Sequence, residues 1–211
     1  MGGSVESGIQ LAFAIAHEVG NHLGGIRLQA HLLDDELDAR EMAEASVLID
    51  GLAGRSGPLL ALLRPLLSDD WRHAGGASWS GVLGRVAQQI EDEGTRGVGF
   101  EVTGDLDTTV AAPDFDWVHP LLIVLVESTL AHVAGRGASA NVRLLLSEDD
   151  GGVRLAVEDD GDPEDLSVEA ARCGRPLAVA IARELLERIA GSVETQEADG
   201  RTTVTLVFPL G

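Results

Sequence analysis

Apolar residues in the first forty positions recur in alternating steps of three and four. Ile9, Ala12, Ala16, Val19, Leu23, Ile26, Ala30, Leu33 and Leu37 form one unbroken heptad seam, the spacing that keeps a single helical stripe against a partner. Gly20, Gly24 and Gly25 lie within this stretch; each costs about 1 kcal/mol in a helix interior, so packing rather than propensity must hold the helix. The acidic run Asp34, Asp35, Glu36 and Asp38 marks a turn. A second seam follows in Met42, Ala45, Ile49, Leu52, Ser56, Leu59, Leu63 and Leu66, and two helices of matched seam joined by a short connection make an antiparallel hairpin. Gly57-Pro58 is expected to kink or interrupt the second helix and Pro65 to end it, because proline removes a backbone donor and crowds the preceding turn. A two-helix hairpin cannot bury two apolar stripes alone, so pairing with a second copy into a homodimeric four-helix bundle is expected.

Beyond residue 68 the pattern changes. Positions 69–77, ending near Gly75-Gly76, read as a linker, which divides the chain into a hairpin over 1–70 and a second domain over 71–211. Val82, Val86 and Ile90 keep helical spacing, while Val98, Phe100 and Val102 alternate as in a strand. Trp117 to Val133 is a strongly apolar helix. Two alternating runs, Val142 to Leu146 and Val153 to Val157, flank Asp149-Asp150-Gly151-Gly152, a hairpin signal. Leu177 to Ile189 is helical, and Val193 with Val204, Leu206 and Phe208 supplies two closing strands. Helices interleaved with a largely antiparallel sheet make an α+β sandwich. No internal repeat or low-complexity tract interrupts it.

Composition narrows the function classes. A hydrophobic fraction of 45% supports a buried core, and with aromatics at 3% and no Tyr that core must be aliphatic. Thirty-five acidic against 15 basic residues give a net charge of -20, which repels nucleic acid and anionic membranes and suits a protein partner with a basic rim. A lone cysteine, Cys173, excludes an internal disulfide framework and a multi-cysteine zinc site. His22 and His31 lack a second pair of ligands at suitable spacing, so no metal site is expected. Without an evident membrane span or signal-peptide pattern, and with no sensor segment ahead of the first helix, a cytoplasmic address is expected.

Candidate chemistry sits in the first helix, in Ala16-His17-Glu18-Val19-Gly20-Asn21-His22-Leu23. His17 falls just beside the apolar stripe, and Asn21 shares its face one turn later. An imidazole next to a carboxylate that can orient or deprotonate it is a competent nucleophile at neutral pH, although a histidine on a helix flank is also an ordinary solvated side chain.

His17-Glu18-x-x-Asn21-x-Leu23, followed by Ile26 and Leu32-Leu33, resembles the phosphoacceptor box of sensor histidine kinases, His-Glu-x-x-Asn-Pro-Leu, with His22 in place of the proline. The resemblance implies that His17 is the phosphorylated residue, Glu18 the base, and Asn21 the group that supports hydrolysis of a partner's acyl phosphate. Residues 71–211 resemble the ATP-binding domain of the same family. Val124-Leu125-Val126-Glu127-Ser128-Thr129-Leu130-Ala131-His132 is similar to its asparagine box, but Ser128 stands where a magnesium-binding Asn is usual and Ala131 where Lys is. Val157 through Pro163 resembles the Asp-x-Gly-x-Gly box, which assigns adenine recognition to Asp159 and keeps Gly161 as a vestige of the nucleotide site. Pro163 replaces the second glycine there, and Asp162 and Glu164 add charge that repels a triphosphate. The phosphate-cradling Gly-x-Gly-Leu is reduced to Pro176-Leu177-Ala178-Val179, where backbone N–H groups cannot approach phosphates as glycines allow. The stretch from Gly161 to Gly174 is too short for the family's lid, while Gly200 to Leu206 keeps its final strand. Independently of any family, an acidic cluster at a strand end also reads as a solvated turn.

Three functions remain open at this point. The first is a histidine phosphotransferase that shuttles a phosphoryl group through His17 between receiver aspartates of response regulators; it needs no cofactor of its own, the receiver supplying magnesium. The second is an ATP-dependent autokinase with diverged boxes. The third is a non-catalytic scaffold that binds a response regulator.

Overall fold

The computed structural model describes residues 2–33, 38–68, 78–95, 97–104, 116–134, 140–149, 152–167 and 170–209. Asp34 to Leu37, the linker at 69–77 and the turn residues Asp150-Gly151 lie outside these.

Two long helices open the chain, α1 (Gly2–Leu32) and α2 (Ala39–Leu67). Asp38 caps α2: its Oδ1 accepts the N–H groups of Arg40 and Glu41, while Glu41 reaches back to accept the Asp38 N–H at 3.0 Å. That reciprocal box, with the added bond from Arg40, satisfies three otherwise orphaned donors. The helices run antiparallel, with Gly8 against Leu66, His22 against Ser56 and Gly25 against Leu52. Pro58 does not interrupt α2, which also runs two residues past Pro65. Each proline deletes one backbone donor, and packing of Leu59, Leu62, Pro65 and Leu66 in the interior outweighs that loss. By length and composition α2 is also apolar enough to cross a membrane, its best 18-residue stretch reaching a mean hydropathy of 1.3, contrary to the reading that no segment approaches a span. Here it pairs along its length with α1 and packs on the second domain.

The seam of α2 holds at Ala45, Ser56, Leu59 and Leu66, which are buried, but not at Met42, and Leu62 is buried in place of Leu63. That of α1 holds at Val19, with Ala12 and Ile26 half-buried, but is rotated by one residue over its first turns. Gly8, Leu11, Ile15 and Val19 face inward, while Ile9, Ala16, Leu23 and Ala30 are exposed. Helix α1 is apolar on more than one face, and the second domain claims the stripe with bulkier residues. Phe13 (73% exposed), Leu28, Met42, Val47 and Leu60 remain open to solvent.

Then come α3 (Trp79–Glu93), β1 (Gly99–Gly104), α4 (Val118–Val133), β2 (Asn141–Asp149), β3 (Gly152–Asp159), α5 (Gly174–Glu187), β4 (Ser192–Ala198) and β5 (Arg201–Pro209). The five strands form one sheet in the order β1-β2-β3-β5-β4, parallel only between β1 and β2. Alternation places Val142, Leu144, Leu146, Val153, Leu155, Val157, Val204, Leu206 and Phe208 on the buried face. Helices α4 and α5 cover that face, and Trp79 of α3 meets Phe208 edge-on at 5.0 Å. Leu11, Ile15, Val19, Leu59, Leu62 and Leu66 join the same hydrophobic core, so hairpin and sandwich share one interior.

Candidate functional site

His17 lies exposed on the middle of α1, on the flank away from the shared core. One turn on, the Asn21 side-chain amide reaches its Nδ1 at 3.3 Å, so the two predicted partners share a face and touch. Glu18 does not join them. Adjacent helical residues point about 100° apart, and the Glu18 carboxylate lies toward the second domain, 3.9 Å from His22 Nε2.

His22 faces inward. Its Nδ1 is 3.0 Å from Ser56 Oγ, and Ser56 gives its single proton to the Leu52 carbonyl at 2.9 Å. Nδ1 of His22 must therefore be the donor, leaving Nε2 bare toward Glu18. Burial, aided by the Arg55 cation, holds this imidazole below its ordinary pKa, and Glu18 opposes the shift. A cavity of about 90 Å³ opens here, bordered by Glu18, His22, Arg55, Glu127, Ser128 and Gly174. His31, the other histidine weighed as a ligand, is exposed in the last turn of α1. Among the described residues, no three His, Cys, Asp or Glu side chains group to hold a metal ion.

Where β3 ends, against α4 and the start of α5, the Asp159 carboxylate is closed off. Asp159 is 1% exposed, which overturns its reading as a solvated turn. Its Oδ1 accepts the Gly161 N–H at 2.8 Å, and its Oδ2 lies 2.8 Å from Nη1 of Arg175, itself 1% exposed. Gly161 is required: an added Cβ would meet Asp159 Oδ1 at 2.6 Å and the Val133 side chain at 2.8 Å. Glu164 approaches the same guanidinium at 4.0 Å and His132 Nδ1 at 3.4 Å, and His132 Nε2 is 2.8 Å from the Asp162 carbonyl. Glu164 thus turns its charge inward. Ser128 donates its hydroxyl to the Leu125 carbonyl at 3.0 Å, and Pro176, Leu177, Ala178 and Val179 are buried in the first two turns of α5. A serine committed to its own helix is a poor magnesium ligand, and a buried guanidinium against Asp159 leaves that carboxylate little capacity for a base. Neither Ser128 nor Asp159 is presented as an open ligand.

Arg175 escaped the sequence reading, although it carried a signal. It directly precedes the uncharged run Pro176 to Ala182, downstream of Glu158, Asp159, Asp160, Asp162 and Glu164, and a buried carboxylate needs a counter-ion.

An exposed histidine on an antiparallel hairpin, packed against a five-stranded α/β sandwich, defines the histidine-kinase type of fold. No protein-family model matches the sequence, and no curated protein does. Solved structures do match. Histidine kinase AdeS of Acinetobacter baumannii superposes with a TM-score of 0.65 at 14% identity, over 92% of this chain and 98% of that one. A histidine kinase from Burkholderia phymatum gives 0.50 at 18% identity over 93% and 98%. The nucleotide-free catalytic domain of histidine kinase ThkA gives 0.52 at 18% over 63% of this chain and 92% of its own. At such identities the likeness is one of fold: the chain resembles a sensor histidine kinase, hairpin and ATPase-type sandwich together.

Proposed function

We propose that this chain is a phosphotransfer protein of two-component signalling, taking a phosphoryl group onto His17 from the phosphoaspartate of one receiver domain and giving it to the aspartate of another. The observation that carries this reading is a contrast within one fold: the His17 imidazole is open to solvent, while Asp159, the carboxylate to which the family resemblance would assign adenine, is buried against the protein's own Arg175.

In the forward step the His17 Nε2 lone pair attacks phosphorus, the P–N bond forms, and the P–O bond to the aspartate breaks. The aspartate leaves as a carboxylate, and the proton on His17 Nδ1 stays there. Asn21 places its Nδ2 group 3.3 Å from that nitrogen; exchange of the amide's two ends, which lets Oδ1 accept the Nδ1–H, is the step that leaves Nε2 bare for attack. The reverse step restores the free imidazole. Magnesium and the acceptor carboxylate come with the receiver, so this chain supplies a positioned nucleophile and a docking surface. Glu18, on the His22 side of the helix, takes no part in the step. A second copy covers the exposed stripe of Ile9, Phe13, Leu23 and Met42 to make a four-helix bundle. The reading carries a cytoplasmic address.

The test mixes the purified chain with receiver domains phosphorylated by labelled acetyl phosphate and follows acid-labile, base-stable label. Label on this chain that is lost in His17→Gln supports the proposal; no label from any receiver overturns it. Labelled ATP alone, added without a receiver, should leave His17 unlabelled; label there makes the chain an autokinase.

A further inference from the structure

Helix α2 ends beside α5, and the contact between them is polar in an otherwise aliphatic interface. The last carbonyls of any helix lack intrahelical donors. Ser68 N–H satisfies that of Arg64 at 3.0 Å. The next two are taken by Arg188, which follows the last turn of α5: Nη1 donates to Pro65 O at 2.9 Å and Nη2 to Leu66 O at 3.0 Å. A cation at a helix C-terminus is favoured by the helix dipole as well as by the bonds themselves. Glu184, one turn back on α5, holds the guanidinium by accepting from Nε at 3.0 Å and Nη2 at 2.7 Å, with both side chains largely buried. Helix α1 closes on the same point. A Cβ at Gly8 would meet Leu66 O at 2.5 Å and Arg188 Nη2 at 3.0 Å, so only glycine lets α1 lie against the bonded pair.

We infer that Arg188 is a positioning residue: held by Glu184, it clamps the end of the hairpin to α5 and fixes His17 relative to the second domain, so that a receiver meets one rigid platform made of both. The inference rests on the phosphotransfer reading for its functional half, and on geometry alone for its mechanical half. The clamp grips the chain where α2 stops, ahead of the connection at 69–77. Apolar packing of Leu59, Leu62 and Leu66 is non-directional and tolerates sliding; a guanidinium fork bonded to two named carbonyls does not. Glu18 and His22, the neighbours of His17, border the same cavity as Ser128 and Gly174 of the second domain, so a fixed hairpin also fixes the rim beside the imidazole.

The experiment uses the full chain with Cys173→Ser and spin labels at Gln10→Cys and Gln196→Cys, both exposed, diluted into unlabelled chain. Arg188→Met keeps the stem and removes the donors, and Glu184→Gln with Arg188→Met removes the stranded carboxylate too, so that folding is kept. Pulsed EPR should give one narrow distance distribution in the parent and one about twofold broader in the double variant. With the receiver domain that labels His17 fastest, the double variant should raise KM about tenfold and leave kcat within about twofold. Unchanged distance distributions overturn the clamp. Broadened distributions with an unchanged KM overturn the positioning role, since the receiver then needs only the hairpin. Failure of every receiver to label His17 sinks the phosphotransfer reading, while the EPR arm still judges the clamp.

Discussion

The flank of α1 and the end of β3 are built from the same materials, a nitrogen base and a short polar partner, and put to opposite use. His17 and Asn21 meet in solvent, 3.3 Å apart. Asp159 and Arg175 meet at 2.8 Å with almost no exposure. An exposed pair contributes little to stability because water competes for every bond, and for the same reason it stays available to a visitor. A buried ion pair is the reverse: its loss strands a charge, and its burial keeps both groups away from solvent. Function and stability are therefore expected to separate cleanly between the two regions.

The strongest way to break that separation is at His17. His17→Gln should reduce transfer from a phosphorylated receiver by more than about 1,000-fold, the scale expected when a covalent nucleophile is removed. Unfolding in urea should stay within about 0.5 kcal/mol of the parent, as for other surface changes. Rapid-quench labelling and denaturation of the same preparation measure both. Residual transfer would mean that another side chain carries the phosphoryl group.

Arg175→Ala should do the opposite. Leaving Asp159 buried without its cation costs about 3–5 kcal/mol, read as a lowered urea midpoint, while the folded fraction transfers phosphoryl at the parental rate. Asp159→Asn with Arg175→Met should recover most of that stability, because neither charge then needs a partner. If instead Arg175→Ala slows transfer with no change in midpoint, the closed end and the open flank are one site.

Asn21→Ala sharpens the comparison from within the open region. Losing one neutral contact that orients the imidazole should slow transfer about tenfold, with KM for the receiver unchanged. A change in KM alone would make Asn21 a docking residue.

How much of this was legible in advance follows from the kind of force involved. The strands are readable from local alternation and α4 and α5 from apolar runs, whereas the α2 seam is readable only in part, Met42 being exposed and Leu62 buried. Helix α1 was placed correctly but rotated, because its sequence carries apolar residues on more than one face and only the second domain decides between Ile9 and Leu11. The prolines of α2 were overruled by burial of Leu59, Leu62 and Leu66, a tertiary effect that no local rule contains. His17 and Asn21 could be paired from their spacing of four. Glu18, by contrast, was assigned by adjacency, and adjacency on a helix sends side chains apart. Arg175 and Arg188 act across elements far apart in sequence, where spacing says nothing about who will be met.

His22 lies between the two regimes and supplies the smallest effect. Burial first, and the Arg55 cation second, lower its pKa from an ordinary value of 6.5, against the pull of Glu18; Glu127 borders the same cavity. His119 on α4 is lowered for a like reason, burial beside Arg85. For such a group the unfolded chain takes up its proton at higher pH than the folded one. Stability is therefore complete above 6.5, is lost as pH falls from there toward the depressed value, and changes no further below it. Each group contributes at most about 1.4 kcal/mol per pH unit within that window. His22→Gln, which can still donate to Ser56, should flatten the fall in melting temperature between neutral and mildly acidic pH and leave the share due to His119. Should the slope survive His22→Gln in full, the imidazole is solvated in the working protein and its burial beside Glu18 and Arg55 does not set the pH dependence.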